Sequence, residues 1–65
     1  MNAGKVIKLA RTIRGYTQAE LSQRYGISES TLRNYEKERT DIPKLTFDGI
    51  LKHLHLTEEE VKNVA

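Results

Sequence analysis

The sequence predicts an all-α fold, a compact bundle of five helices, on three observations. β-branched residues are scattered singly and no period-two alternation of apolar and polar residues persists, so strands are not expected. Apolar residues recur instead at i, i+3, i+4 and i+7, which places them on one face of a helix. The four glycines and single proline mostly fall between these stretches, where helices should begin and end.

The first helix carries Val6, Leu9, Ala10 and Ile13, with Ile7 widening the apolar stripe, and Gly15 is placed to close it. Thr17-Gln18-Ala19-Glu20 reads as a capping box: the threonine hydroxyl accepts from the third helical N–H, and the glutamate reaches back to the N–H of the cap. A short second helix follows to about Tyr25, with Leu21 and Tyr25 on one face, and Gly26 interrupts it. Ser28 is the next N-cap candidate, opening a third helix to about Lys37 with Leu32 and Tyr35 turned inward.

Residues 38–43 form a polar loop, and Pro43 suits the first turn of a fourth helix in which Phe47, Ile50, Leu51 and Leu54 repeat. Gly49 inside that helix costs about 1 kcal/mol relative to alanine, which close helix packing would explain. Thr57-Glu58-Glu59-Glu60 is a second capping box, with three acids at the positive end of a short fifth helix.

Composition narrows the function. Sixty-five residues, 37% hydrophobic and 31% charged, suit one small domain over residues 1–65 with little core to spare. There is no cysteine, and His53 and His55 lie about 200° apart on a helix, so no metal or other cofactor is expected. No nucleophile or glycine-rich phosphate loop accompanies the carboxylates, and no enzyme is expected. No apolar run approaches the roughly 20 residues of a membrane span, and the N-terminus lacks a signal-peptide core. A soluble, cytoplasmic protein without a membrane partner is therefore the expectation. Charge is polarised: residues 1–40 hold eight Lys and Arg against four Glu, and residues 41–65 hold three Lys against five acids. The first half suits a polyanion.

The second and third helices are separated by only a few residues around Gly26, and the small Ser22 directly follows the anchor Leu21. A glycine turn and a small facing residue allow two helices to cross closely at a large angle. The outer face of the third helix, Glu29, Ser30, Arg33, Asn34 and Lys37, is then projected away from the body. A helix of this width fits the major groove of B-DNA, where base edges present distinct hydrogen-bonding patterns.

The stretch Ile7 to Glu36, with T-Q-x-E-L-S and G-I-S-x-S-T-L as its most telling pieces, resembles the phage-repressor family of Cro/C1-type (XRE) helix-turn-helix regulators. The resemblance implies a lambda-repressor-like five-helix domain with its helix-turn-helix at about 17–37. It implies a sequence-specific regulator of transcription, expected to be a repressor of bacterial, phage or mobile-element origin. Carried over by position, Glu29, Ser30, Arg33 and Asn34 stand where the family reads bases. Thr17 and Gln18 stand where it pins a phosphate, and Lys37 and Arg39 stand in the loop that grips the next phosphates. Arg11 and Glu36 match a structural ion pair.

This chain departs from the family pattern at three places. Glu29 brings a negative charge to a base-reading position, Glu38 replaces a glycine that often closes the reading helix, and the loop before the fourth helix is about one residue short, shifting Leu45.

The expected partners are a double-stranded DNA operator and, at least on DNA, a second copy of the chain, with Leu56 and Val61 as sources of the contact. The alternative class is a protein-interaction module, such as an antitoxin or antirepressor, whose acidic fifth helix would meet a basic partner.

Overall fold

The structure is a computed structural model that describes residues 2–64, and five helices run through them: α1 (Ala3–Ile13), α2 (Gln18–Tyr25), α3 (Glu29–Glu36), α4 (Lys44–His53) and α5 (Glu58–Val64). No strand occurs among the described residues. The apolar stripes meet in one core of Val6, Ile7, Ala10, Leu21, Leu32, Phe47, Ile50, Leu51, Leu54 and Val61. α1 packs against α3, α4 and α5, while α2 packs chiefly against α3.

The helix starts follow the predicted chemistry. Thr17 accepts from the Glu20 N–H at 3.0 Å and Glu20 returns a carboxylate to the Thr17 N–H at 2.9 Å; Thr57 and Glu60 repeat the arrangement at 3.1 and 2.9 Å. Ser28 caps α3 by accepting from the Thr31 N–H. Pro43 sits at the N-cap of α4 rather than inside its first turn, with φ −56° and an extended ψ, and its carbonyl accepts from the Phe47 N–H at 2.9 Å.

The first four helices all end on a residue with positive φ: Gly15, Gly26, Glu38 and His55. After α1, α3 and α4 the next two N–H groups turn back onto the last free carbonyls, as in Gly15 N–H to Thr12 and Tyr16 N–H to Arg11. Two of the four left-handed positions are therefore filled by residues with a Cβ. Glu38 adopts φ 61°, so the reading-helix candidate closes with the geometry a glycine would give. His55 leaves the helical path entirely, and its position relative to His53 is set by this turn rather than by helical spacing.

Two glycines are required by close approach. A Cβ on Gly4 of α1 would run into the Tyr35 carbonyl at the end of α3, and one on Gly49 of α4 would meet the Tyr25 hydroxyl. The second contact explains the glycine inside α4. Val61 is fully buried beneath the other helices and is unavailable for a contact between copies. Leu45 is 86% exposed instead, because it lies about 200° around α4 from Phe47 and so off the core stripe, and Val64 is also exposed.

Relieving the left-handed glutamate should stabilise the fold: Glu38→Gly is expected to add about 0.5–1 kcal/mol, read as an upward shift in urea midpoint with an unchanged slope. The capping boxes predict an acid limb. The Thr17 N–H first, then its hydroxyl, hold the Glu20 carboxyl below its ordinary 4.5, and Thr57 does the same for Glu60. A lowered folded value means that the unfolded chain binds more protons. The stabilisation is therefore present above about pH 4.5 and is lost as pH falls through the folded values. Melting temperature should decline over that window, and less steeply in a Glu20→Gln/Glu60→Gln variant.

Candidate nucleic-acid interface

The α2–α3 unit is held from both ends. At the turn, Gly26 takes φ 95°, and the N–H groups of Gly26 and Ile27 both donate to the Ser22 carbonyl at 2.9 and 3.1 Å. Ser22 is buried, and its hydroxyl donates back to the Ala19 carbonyl. Its small size leaves room for the two helices to meet, with Leu21 and Leu32 buried and Tyr25, Ile27 and Tyr35 half-buried around them.

At the other end stands Glu36, whose side chain is 2% exposed. Arg11 of α1 grips it with two donors, Nε to Oε2 at 2.8 Å and Nη2 to Oε1 at 3.0 Å, and gives its third arm to the Tyr16 carbonyl at 2.8 Å. Gln18, at the start of α2, donates from Nε2 to Glu36 Oε1 at 3.0 Å. The end of α1, the start of α2 and the end of α3 are thus tied at one carboxylate. Every buried side-chain polar atom among the described residues has a partner.

This arrangement leaves one flank of α3 facing outward. Glu29, Ser30 and Lys37 are exposed, and Arg33 and Asn34 are half-exposed, whereas Leu32 and Glu36, which border this flank toward the core, are buried. Glu29 and Arg33 form an i,i+4 pair, Nη2 to Oε2 at 3.3 Å. With Lys37 the flank carries one more positive charge than negative. Thr17 is exposed at the α2 N-terminus beside the half-buried Gln18, so the positive dipole end of that helix lies at the surface. Lys37 and Arg39 are exposed in the turn after α3. The amide of Gln18 is committed to Glu36, and its reach outward runs through its backbone N–H and remaining carbonyl oxygen.

Two supporting residues were not singled out in the sequence. Arg14 donates to the Leu54 and His55 carbonyls at 2.7 and 3.0 Å, capping the end of α4 from α1. Arg24 lies over the Tyr16 ring at 4.9 Å. A basic residue in a last helical turn is a signal for carbonyl capping, but nothing local identifies a helix end 40 residues away.

A glycine-turn pair of helices whose second member offers a polar flank, held on a compact helical support, defines a helix-turn-helix DNA-binding domain. Residues 7–61 match the Helix-turn-helix family, and the chain belongs to that family, of Cro/C1 (XRE) type. It is similar to Antitoxin HipB of Escherichia coli strain K12, 37% identical over 51 residues that make up 78% of this chain and 58% of that protein. It matches Antitoxin HipB of Escherichia coli O6:H1 strain CFT073 at the same identity, over 78% of this chain and 54% of that one. The chain thus spans little more than half the length of these curated relatives. No solved structure matches it. No helix among the described residues is long and apolar enough to cross a membrane.

Breaking the buried pair tests the scaffold. Arg11→Ala strands a buried carboxylate with Gln18 as its remaining donor and should cost about 3–5 kcal/mol by chemical denaturation. Arg11→Met combined with Glu36→Leu, which strands no charge, should recover most of that loss.

Proposed function

We propose that the protein is a sequence-specific regulator of transcription that acts as a repressor, inserting α3 into the major groove of a double-stranded operator. The observation that carries this reading is the outward flank of α3, polar along its length and backed by the buried Leu32 and Glu36. Arg33 has the fork to hold guanine O6 and N7, and Asn34 the amide to hold adenine N6 and N7; Ser30 adds a hydroxyl to the base-facing set, and Glu29 stands on the same flank paired with Arg33. Thr17 and Gln18 offer the α2 N-terminus to one phosphate, and Lys37 and Arg39 clamp the next. Arg11 and Glu36 hold these two groups in register.

The protein acts without catalysis of its own. A module this small covers a modest stretch of DNA, so useful affinity requires two copies on half-sites about one helical turn apart. The half-buried Leu56 and the exposed Leu45 and Val64 are apolar side chains open to a contact between them.

A second reading, a protein-interaction module such as an antitoxin whose main ligand is another polypeptide, is favoured by the names of the relatives. An open groove of about 420 Å³ between α4 and α5 is lined by the apolar Phe47, Leu51 and Leu56 and by three acids, Asp48, Glu58 and Glu60, against one lysine, Lys52, which suits a basic apolar segment.

Binding to random and selected duplexes across a salt series separates these readings. The regulator reading expects a steep loss of affinity between low and moderate salt, by counterion release. Arg33→Ala should cost about 1–3 kcal/mol at the selected site and relax preference at one base pair, while Lys37→Ala or Arg39→Ala should weaken all duplexes alike. A flat response with no duplex binding at low salt overturns the regulator reading in favour of a protein partner.

A further inference from the structure

Glu29 poses a problem of charge. A carboxylate at the front of a helix that enters an anionic groove repels phosphate, and nothing in the fold requires it, since its side chain is 48% exposed. It lies one helical turn ahead of Arg33, and the two side chains meet at 3.3 Å. Acid before base at i,i+4 is the favoured order on a helix, and the first turn of α3 places Glu29 at the positive end of the dipole. The contact engages Nη2 of Arg33 alone. The guanidinium has five N–H groups, so the rest of its fork stays open for a guanine edge.

We propose that Glu29 is a positioning residue for Arg33 rather than a reader of bases in its own right, and that it sharpens discrimination at the base pair Arg33 contacts. This inference rests on the DNA-reading role proposed for α3. An unpaired arginine on an exposed helix samples many rotamers and reaches any nearby phosphate, which binds DNA without choosing a sequence. Paired with Glu29, the guanidinium is held along the outer flank before DNA arrives, and its charge is balanced so that phosphate draws it less. Glu29 thereby trades general affinity for selectivity. The negative charge that departs from the family pattern acquires a role without a contact to any base.

Selection from a random duplex pool, with competition titrations on the wild type, Glu29→Gln, Arg33→Ala and the double variant, tests this. Both positions face solvent, so the core is untouched, and equal helicity is checked by circular dichroism. Glu29→Gln is expected to bind random duplex more tightly than the wild type. It should also lose about two- to fivefold of its preference, at the same base pair that Arg33→Ala relaxes. In the Arg33→Ala background it should change base preference nowhere. A changed preference at a different base pair, a change that persists without Arg33, or an unaltered preference each overturns the proposal. A wild-type protein that selects no sequence overturns the DNA-reading role itself, and that result is visible before any variant is compared.

Discussion

Glu36 is the one charged residue buried among the described residues, and the geometry of the interface depends on how its charge is satisfied. A carboxylate withdrawn from water is tolerated only when its lone pairs are filled by good donors. Arg11 fills both oxygens with a fork, Gln18 adds a third hydrogen bond, and the remaining arm of Arg11 reaches the Tyr16 carbonyl. These partners come from the end of α1, the turn that follows it and the first residue of α2, while the carboxylate comes from the last turn of α3. Helix-end positions that are free to slide in isolated peptides are held to within hydrogen-bonding tolerance. A buried pair of this kind adds little net stability over an apolar replacement. Its contribution here is one of register, since it fixes the start of α2 relative to the outward flank of α3, the two parts that the proposed DNA reading uses together.

The rest of the support comes from close approaches that leave no slack. Gly4 brings α1 against the final carbonyls of α3, Gly49 lets α4 close on Tyr25, and Arg14 seals the end of α4 from α1. In a domain with so small a core, such contacts compensate for limited apolar burial by restricting how the helices can shift. The left-handed Glu38 belongs to the same economy. A side chain there is conformationally unfavourable, yet the turn it closes delivers Lys37 and Arg39 to the surface after the outward flank of α3. The fold retains some local strain where the chain leaves α3.

The two halves of the chain differ in charge as well as in what they build. The basic first half carries the helix-turn-helix, and the acidic second half carries the α4–α5 groove. A regulator that also answers to a protein would use the two without competition for the same residues. The antitoxin names of the relatives make such a division a natural frame for the second reading, while the flank of α3 carries the first.

All five helices, both capping boxes, the glycine at the α2–α3 turn and the outward face of α3 were legible in the sequence. Each depends on residues within a few positions of one another: a hydroxyl and a carboxylate three apart, or an apolar stripe at helical spacing. The Arg11–Glu36 pair was legible only through resemblance, because 25 residues separate its partners. Tertiary structure alone decided that Gln18 joins that pair, that Arg14 caps α4, that Val61 is covered, and that Glu38 takes a glycine's conformation. Local chemistry determines where helices start and stop and which side of each avoids water. Which surfaces remain open afterwards is settled by how the helices cover one another, a matter of shape over the whole chain.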